Sequence, residues 1–183
     1  WDVMYSYLSK GEKYRVIGIN EDGKNTLKVY SKLDGKEIEF PSFKDGDILG
    51  LEFSESENKI RLSIGSSKMP NNLYVYDLDD KSLVKLTNSL NPKIDSKNLV
   101  NAKVIRYKSF DGLEIPAIFY KPLQASKNNK VPALVWVHGG PGGQSRMSFN
   151  PLIQYLNNQG YAILAVNNRG SSGYGKTFYK LDD

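Results

Sequence analysis

In the first half of the chain, apolar and polar residues alternate in short runs. YRVIGIN, TLKVYSK, KEIEFPS, ILGLEFS, KIRLSIG, NLYVYDL and SLVKLTN are rich in Val, Ile, Leu, Tyr and Phe. A period near two places successive side chains on opposite faces and predicts strands. Turn chemistry divides them at Glu21-Asp22-Gly23-Lys24, Leu33-Asp34-Gly35-Lys36 and Lys44-Asp45-Gly46-Asp47, where Asp-Gly pairs suit tight hairpins. No helical period competes before residue 97.

A weak repeat lies on this pattern. LKVYSKLDGKEIEF at 27–40 resembles NLYVYDLDDKSLVKL at 72–86, each a strand, an Asp-containing turn and a second strand. Repeats of about 40–45 residues with four strands each mark β-propeller blades. A propeller needs at least about four blades, so residues 1–97 are expected to be an incomplete set. An antiparallel β-sandwich fits the same strands.

The pattern changes beyond NSLNPKIDSKNLVNA, which reads as a linker. AKVIRYKSFDGLEIPAIFYKP predicts a hairpin turning at Asp111-Gly112. VPALVWVHG and YAILAVNNRG are nearly continuous apolar runs, expected as strands buried on both faces of a parallel sheet. Between them PLIQYLNNQG predicts a helix, with Asn150 or Ser148 as cap, Pro151 in the first turn and Gly160 just past the end. Its apolar face is read as Leu152, Ile153, Tyr155 and Leu156. Strand, helix and strand make a βαβ unit, and a further helix is expected near Tyr174.

Composition narrows the chemistry. With no cysteine and a single histidine, His138, disulfides, thiolate nucleophiles and His-cluster metal sites have no residues to build them. No run of 18 apolar residues predicts a membrane span, and no secretory leader is visible. A cytoplasmic location is therefore expected, without membrane or nucleic-acid partners and without a cofactor. Residues 1–97 carry 15 basic and 16 acidic side chains; residues 98–183 carry 10 and 4. The basic residues of the second part are scattered singly, unlike a nucleic-acid surface.

The most informative segment is His138-Gly139-Gly140-Pro141-Gly142-Gly143, after a predicted strand and before a predicted helix. Glycines let main-chain N–H groups approach a ligand closely. Donors aimed at a developing oxyanion lower an acyl-transfer barrier by about 3–4 kcal/mol each. A plain Gly-rich turn is the bland reading, and the spacing matches neither common phosphate-binding glycine motif. In α/β-hydrolases the catalytic histidine follows the serine and the acid. His138 comes too early, and a role orienting the loop suits it better. Gly170-Ser171-Ser172-Gly173-Tyr174 misses the G-x-S-x-G spacing of a nucleophile elbow, as does Gly65-Ser66-Ser67-Lys68-Met69. Asp182 and Asp183 have no histidine after them, so neither is assigned as a catalytic acid.

HGGPGG, followed by Asn167-Asn168-Arg169-Gly170-Ser171-Ser172-Gly173-Tyr174-Gly175 and Phe178, resembles the prolyl oligopeptidase family of serine peptidases, on its acylaminoacyl-peptidase and dipeptidyl-peptidase-like branch. The resemblance is specific over 98–183 and mostly architectural over 1–97. It implies a mixed fold: the last blades of a β-propeller over 1–97, then the N-terminal part of an α/β-hydrolase domain over 98–183. It also implies that Gly140 supplies an oxyanion-hole N–H, that Gly139 shapes the loop, and that His138 and Arg169 support it. The serine, acid and base are expected outside this chain, leaving the piece itself inactive. The implied substrate is a peptide or acylated peptide, admitted past the propeller. An HGG-type esterase or lipase, and a non-catalytic propeller that binds partners, are the alternatives. Open strand edges are expected to promote self-association.

Overall fold

The computed structural model describes residues 1–43, 46–140 and 142–182. Lys44 and Asp45 of the third predicted turn, Pro141 of the Gly-rich segment and Asp183 lie outside the described residues. Among the described residues eleven strands form three sheets, with two short helices in the last third of the chain.

The first sheet is an antiparallel meander of β1 (Asp2–Leu8), β2 (Tyr14–Glu21) and β3 (Lys24–Ser31). At the β2–β3 turn Asp22 and Gly23 both have positive φ, 56° and 79°, as a two-residue type I′ hairpin requires. β1 is a strand that the alternation did not reveal, because DVMYSYL leaves its side chains largely exposed. KEIEFPS, read as a strand, makes only an isolated bridge between Glu37 and Tyr30. The second sheet is a meander of β4 (Asp47–Phe53), β5 (Lys59–Gly65), β6 (Asn72–Asp77) and β7 (Leu83–Lys85). The repeat thus falls on equivalent places: β3 and its bridge in one sheet, β6 and β7 in the other. One apolar core joins the sheets, with Val16 and Val29 packed against Ile60, Leu62 and Ile64. All five are fully excluded from solvent.

Residues 88–101 are irregular apart from one 3-10 turn at Ser96–Asn98. The predicted linker does not hang free: Leu99 and Val100 are buried. The third sheet has spatial order β10-β11-β9-β8. β8 (Ala102–Lys108) and β9 (Glu114–Tyr120) form the predicted hairpin, with Gly112 at φ 86°. β10 (Ala133–Val137) and β11 (Ala162–Val166) are parallel neighbours joined through α1 (Pro151–Asn158), the expected βαβ unit. α2 (Gly175–Tyr179) follows at the place expected for a further helix.

Two expectations for this sheet fail for identifiable reasons. β11 is buried between β10 and β9, but β10 is an edge strand with one neighbour, leaving Val135 and Val137 two-thirds exposed. On α1, Ile153 is buried, whereas Leu152 and Tyr155 face out. Gln154 and Asn157 take the inward positions instead, because main-chain groups beneath the helix need partners. Gln154 donates to Ser67 O at 2.7 Å and Val100 O at 2.8 Å, and accepts from Val100 N at 3.0 Å. Asn157 donates to Tyr120 O and Tyr161 O, both at 3.0 Å. The cap is Asn150, accepting from Leu152 N and Ile153 N, and Gly160 follows the helix at φ 95°.

Candidate active site

Two loops leave the carboxyl ends of the parallel strands β10 and β11, the place where open α/β sheets bind ligands. The first begins at His138, directly after β10. The second is Asn167–Tyr174, directly after β11. They are held face to face by hydrogen bonds.

Asn167 is fully buried. Its side-chain oxygen accepts from Ser145 N at 2.7 Å, and its amide donates to Ser145 O at 3.0 Å and Tyr174 Oη at 2.9 Å. One amide therefore reads both main-chain groups of Ser145 and fixes the end of the Gly-rich loop. Ser172 N donates to Gly143 O at 3.0 Å. The His138 ring lies 2.9 Å from Ser171 Oγ through Nε2 and 3.0 Å from Gly139 O through Nδ1. Ser171 Oγ donates to Asn168 O at 2.6 Å.

The glycines of the first loop are needed for closeness. None of Gly139, Gly140, Gly142 and Gly143 has positive φ. A Cβ on Gly143 would sit 2.1 Å from Gly139 O, and one on Gly140 would sit 2.8 Å from Gly142 N. Gly139 borders open space. Gly139 and Gly140 are exposed, and no hydrogen bond among the described residues takes up either N–H. Beneath the loop is a cleft of about 160 Å³ bounded by Tyr120, Trp136, His138, Gln144 and Arg146.

Arg169 does not reach the Gly-rich loop. It donates to Asp111 Oδ1 at 2.6 Å and lies over the Phe110 ring at 5.1 Å, tying the second loop to the β8–β9 turn. Its guanidinium holds the Asp111 carboxyl below the usual range, with the Leu113 N–H adding to the effect. Burial pushes the Tyr120 phenol up to about 12. Burial also raises the Tyr174 phenol, with Asp22 adding to it and Asn167 opposing it.

The first sheet touches this region through the β2–β3 turn. Met147 N donates to Gly23 O at 2.9 Å, Arg106 pairs with Asp22 at 2.7 Å, and Asn20 donates to Gln144 at 2.7 Å. Arg146 hydrogen-bonds Asn25, and burial lowers its pKa. Sequence reasoning placed Asp22-Gly23 in a turn but had no means to place it against residues 124 positions away. Ser171 and Asn167 sat within a quoted motif with no role of their own. The inward stripe of Ile153, Gln154 and Asn157 was missed as well, because the helix was read by its apolar residues alone.

A parallel strand pair with a Gly-rich loop at its carboxyl end and a helix between is the arrangement that α/β-hydrolases use ahead of their nucleophile. The model of the prolyl oligopeptidase family matches residues 147–181. Dipeptidyl aminopeptidase BIII of Pseudoxanthomonas mexicana is 34% identical over 123 residues, which cover 64% of this chain and 18% of that protein. Dipeptidyl peptidase family member 6 of Caenorhabditis elegans is 28% identical over 158 residues, 70% of this chain and 21% of that protein. Pyrococcus horikoshii acylaminoacyl peptidase superposes with a TM-score of 0.69 at 27% identity, over 97% of this chain and 27% of that one. A Mycobacterium tuberculosis puromycin-hydrolyzing peptidase, 18% identical with a TM-score of 0.73 over 96% of this chain and 27% of that one, shares the fold. The family model, the relatives and the solved structures together support a fragment of the prolyl oligopeptidase family. The chain spans about a fifth of the length of the curated relatives it matches.

Proposed function

We propose that this chain is the oxyanion side of a serine peptidase that hydrolyses peptides or acyl-peptides through an acyl-enzyme. The observation that carries the reading is the loop at the end of β10: two exposed glycines, whose N–H groups no described residue takes up, on a segment held by Ser171, Ser172 and Asn167. Donors that need not reorganise are the ones that stabilise a developing oxyanion. Gly140 N–H is assigned as an oxyanion donor, Gly139 shapes the loop, and His138 orients it. Arg169 supports the second loop through Asp111. The nucleophile, acid and base are assigned to sequence outside this chain. Residues 1–97 are read as two neighbouring propeller blades and 98–183 as the start of the hydrolase domain. The shared apolar core of two successive antiparallel meanders supports that division. The peptidase names of the relatives support a peptide substrate.

The test is intact mass after treatment with a fluorophosphonate. This chain alone is expected to gain no mass, while a longer chain carrying it together with a G-x-S-x-G element is expected to gain one adduct. An adduct on this chain would place an activated serine within it and overturn the assignment. Turnover of esters but not peptides by the labelled longer chain would move the function to the esterase reading. The exposed apolar edge of β10 supports self-association, expected as a mass that grows with concentration in light scattering. A constant monomer mass removes that part.

A further inference from the structure

Ser171 and His138 stand at the distance of a serine–histidine pair, 2.9 Å between Oγ and Nε2. Ser171 is nevertheless fully buried, so no substrate carbonyl reaches it. Its single hydrogen is also engaged. Asn168 O is 2.6 Å away and can only accept. With that hydrogen spent, Oγ meets Nε2 as an acceptor, and Nε2 must carry the hydrogen between them. A neutral imidazole has one N–H, so Nδ1 is bare where it faces Gly139 O at 3.0 Å. The competing arrangement puts the hydrogen on Nδ1 and turns the Ser171 hydroxyl toward Nε2. Each arrangement makes two of the three bonds: this one gives up the 2.6 Å bond, the shortest, and the first gives up the 3.0 Å contact to Gly139 O.

The same two serines hold both ends of the loop. Ser171 grips His138, its first residue, and Ser172 N grips Gly143 O. Gly143 in turn packs so closely that a Cβ there would lie 2.7 Å from His138 Nδ1. The ring edge therefore packs against that main chain.

We propose that Ser171 is a positioning residue: anchored on the Asn168 carbonyl, it holds His138 in the Nε2–H tautomer and thereby sets the direction of the Gly139-Gly140 backbone. The catalytic meaning of that direction rests on the oxyanion reading above, whereas the tautomer does not.

His138 is the single histidine of the chain, so its ring nitrogens are read without assignment ambiguity. Two-bond ¹H–¹⁵N correlation of the ¹⁵N-labelled chain at about pH 8, where imidazole is ordinarily neutral, is expected to show one tautomer protonated at Nε2. Ser171→Ala is expected to draw the two nitrogen shifts toward each other as the tautomers mix, and Ser171→Thr, which keeps the hydroxyl, to restore them. A wild-type ring protonated at Nδ1 overturns the proposal, as do ring nitrogens indifferent to Ser171→Ala. The wild-type spectrum decides even if the alanine variant does not fold. An Nε2–H ring that responds to Ser171→Ala, in a protein whose longer form neither takes a fluorophosphonate nor cleaves peptides, keeps the positioning role and discards the oxyanion reading.

Discussion

Between the first two sheets the fully excluded side chains are Val16, Val29, Ile60, Leu62 and Ile64; behind the Gly-rich loop they are Asn167 and Ser171. The first region is held by area and shape. Its residues gain from leaving water and from filling space, and neither depends on direction. The second is held by hydrogen bonds from buried amides and hydroxyls to main-chain atoms, each with a required distance and angle. An apolar core tolerates small shifts of one sheet on the other. The Gly-rich loop is held instead by bonds that each fix a distance and an angle.

The contrast can be broken first at Leu62. Truncation to Ala leaves a cavity in a site with no exposure, and the expected loss is about 2–5 kcal/mol in denaturant unfolding, with the amide resonances of residues 138–145 little changed. A large change in those resonances would mean that the two regions do not stand apart. Asn167→Ala should do the reverse. It orphans the Ser145 N–H and carbonyl, costing about 1–3 kcal/mol, and should speed hydrogen exchange in the loop more than in β5. Uniform exchange in this variant would show the loop to be held by packing after all.

Tyr120 sharpens the comparison, since it belongs to the apolar cluster of the third sheet yet ends in a phenol. Its folded pKa, about 12, lies above the usual value near 10. Its contribution is therefore fully present below about pH 10 and is lost as pH rises toward the folded value. Between about pH 10 and 12, one proton bound only in the folded state lowers stability by about 1.4 kcal/mol per pH unit. Tyr120→Phe should remove that slope from chemical denaturation curves. An unchanged slope would assign it to other tyrosines.

Asp111 should show the smallest effect. Its pair with Arg169 is partly solvent-exposed, and such pairs contribute little. Asp111→Asn should barely move the denaturation midpoint at neutral pH. Because the Asp111 pKa is lowered in the folded state, the pair's contribution exists above the ordinary carboxylate value and fades as pH falls through the folded one. Variant and wild type should therefore converge in acid. A midpoint difference that grows as pH falls would contradict the pairing.

Much of the fold was legible in order of strength of pattern. Alternation located β2 to β7, and Asp22-Gly23 and Asp111-Gly112 located hairpin turns because few other pairs accept positive φ. The Asn150-Pro151 start and Gly160 end bounded α1 through local capping chemistry. β1 escaped because an exposed strand has little alternation to show. The reading of β10 as doubly buried failed because an apolar run reports what a strand can bury, and cover comes from elements elsewhere. The candidate site was legible as a glycine cluster and as a resemblance, while its support was not. Asn167, Ser171 and Gln154 are common polar residues until the fold sets Ser145, His138 and Val100 beside them.

The sequence by itself determined β2 to β11, most of their turns, the βαβ unit and the place of the Gly-rich loop, since each follows from neighbours a few residues apart. Only the tertiary structure decided that β10 lies at an edge, that the Asp22-Gly23 turn docks beside Met147, and that Ser171 holds His138. Those contacts join residues 33 to 124 positions apart, and no local period records which distant backbone group a buried amide or hydroxyl will satisfy.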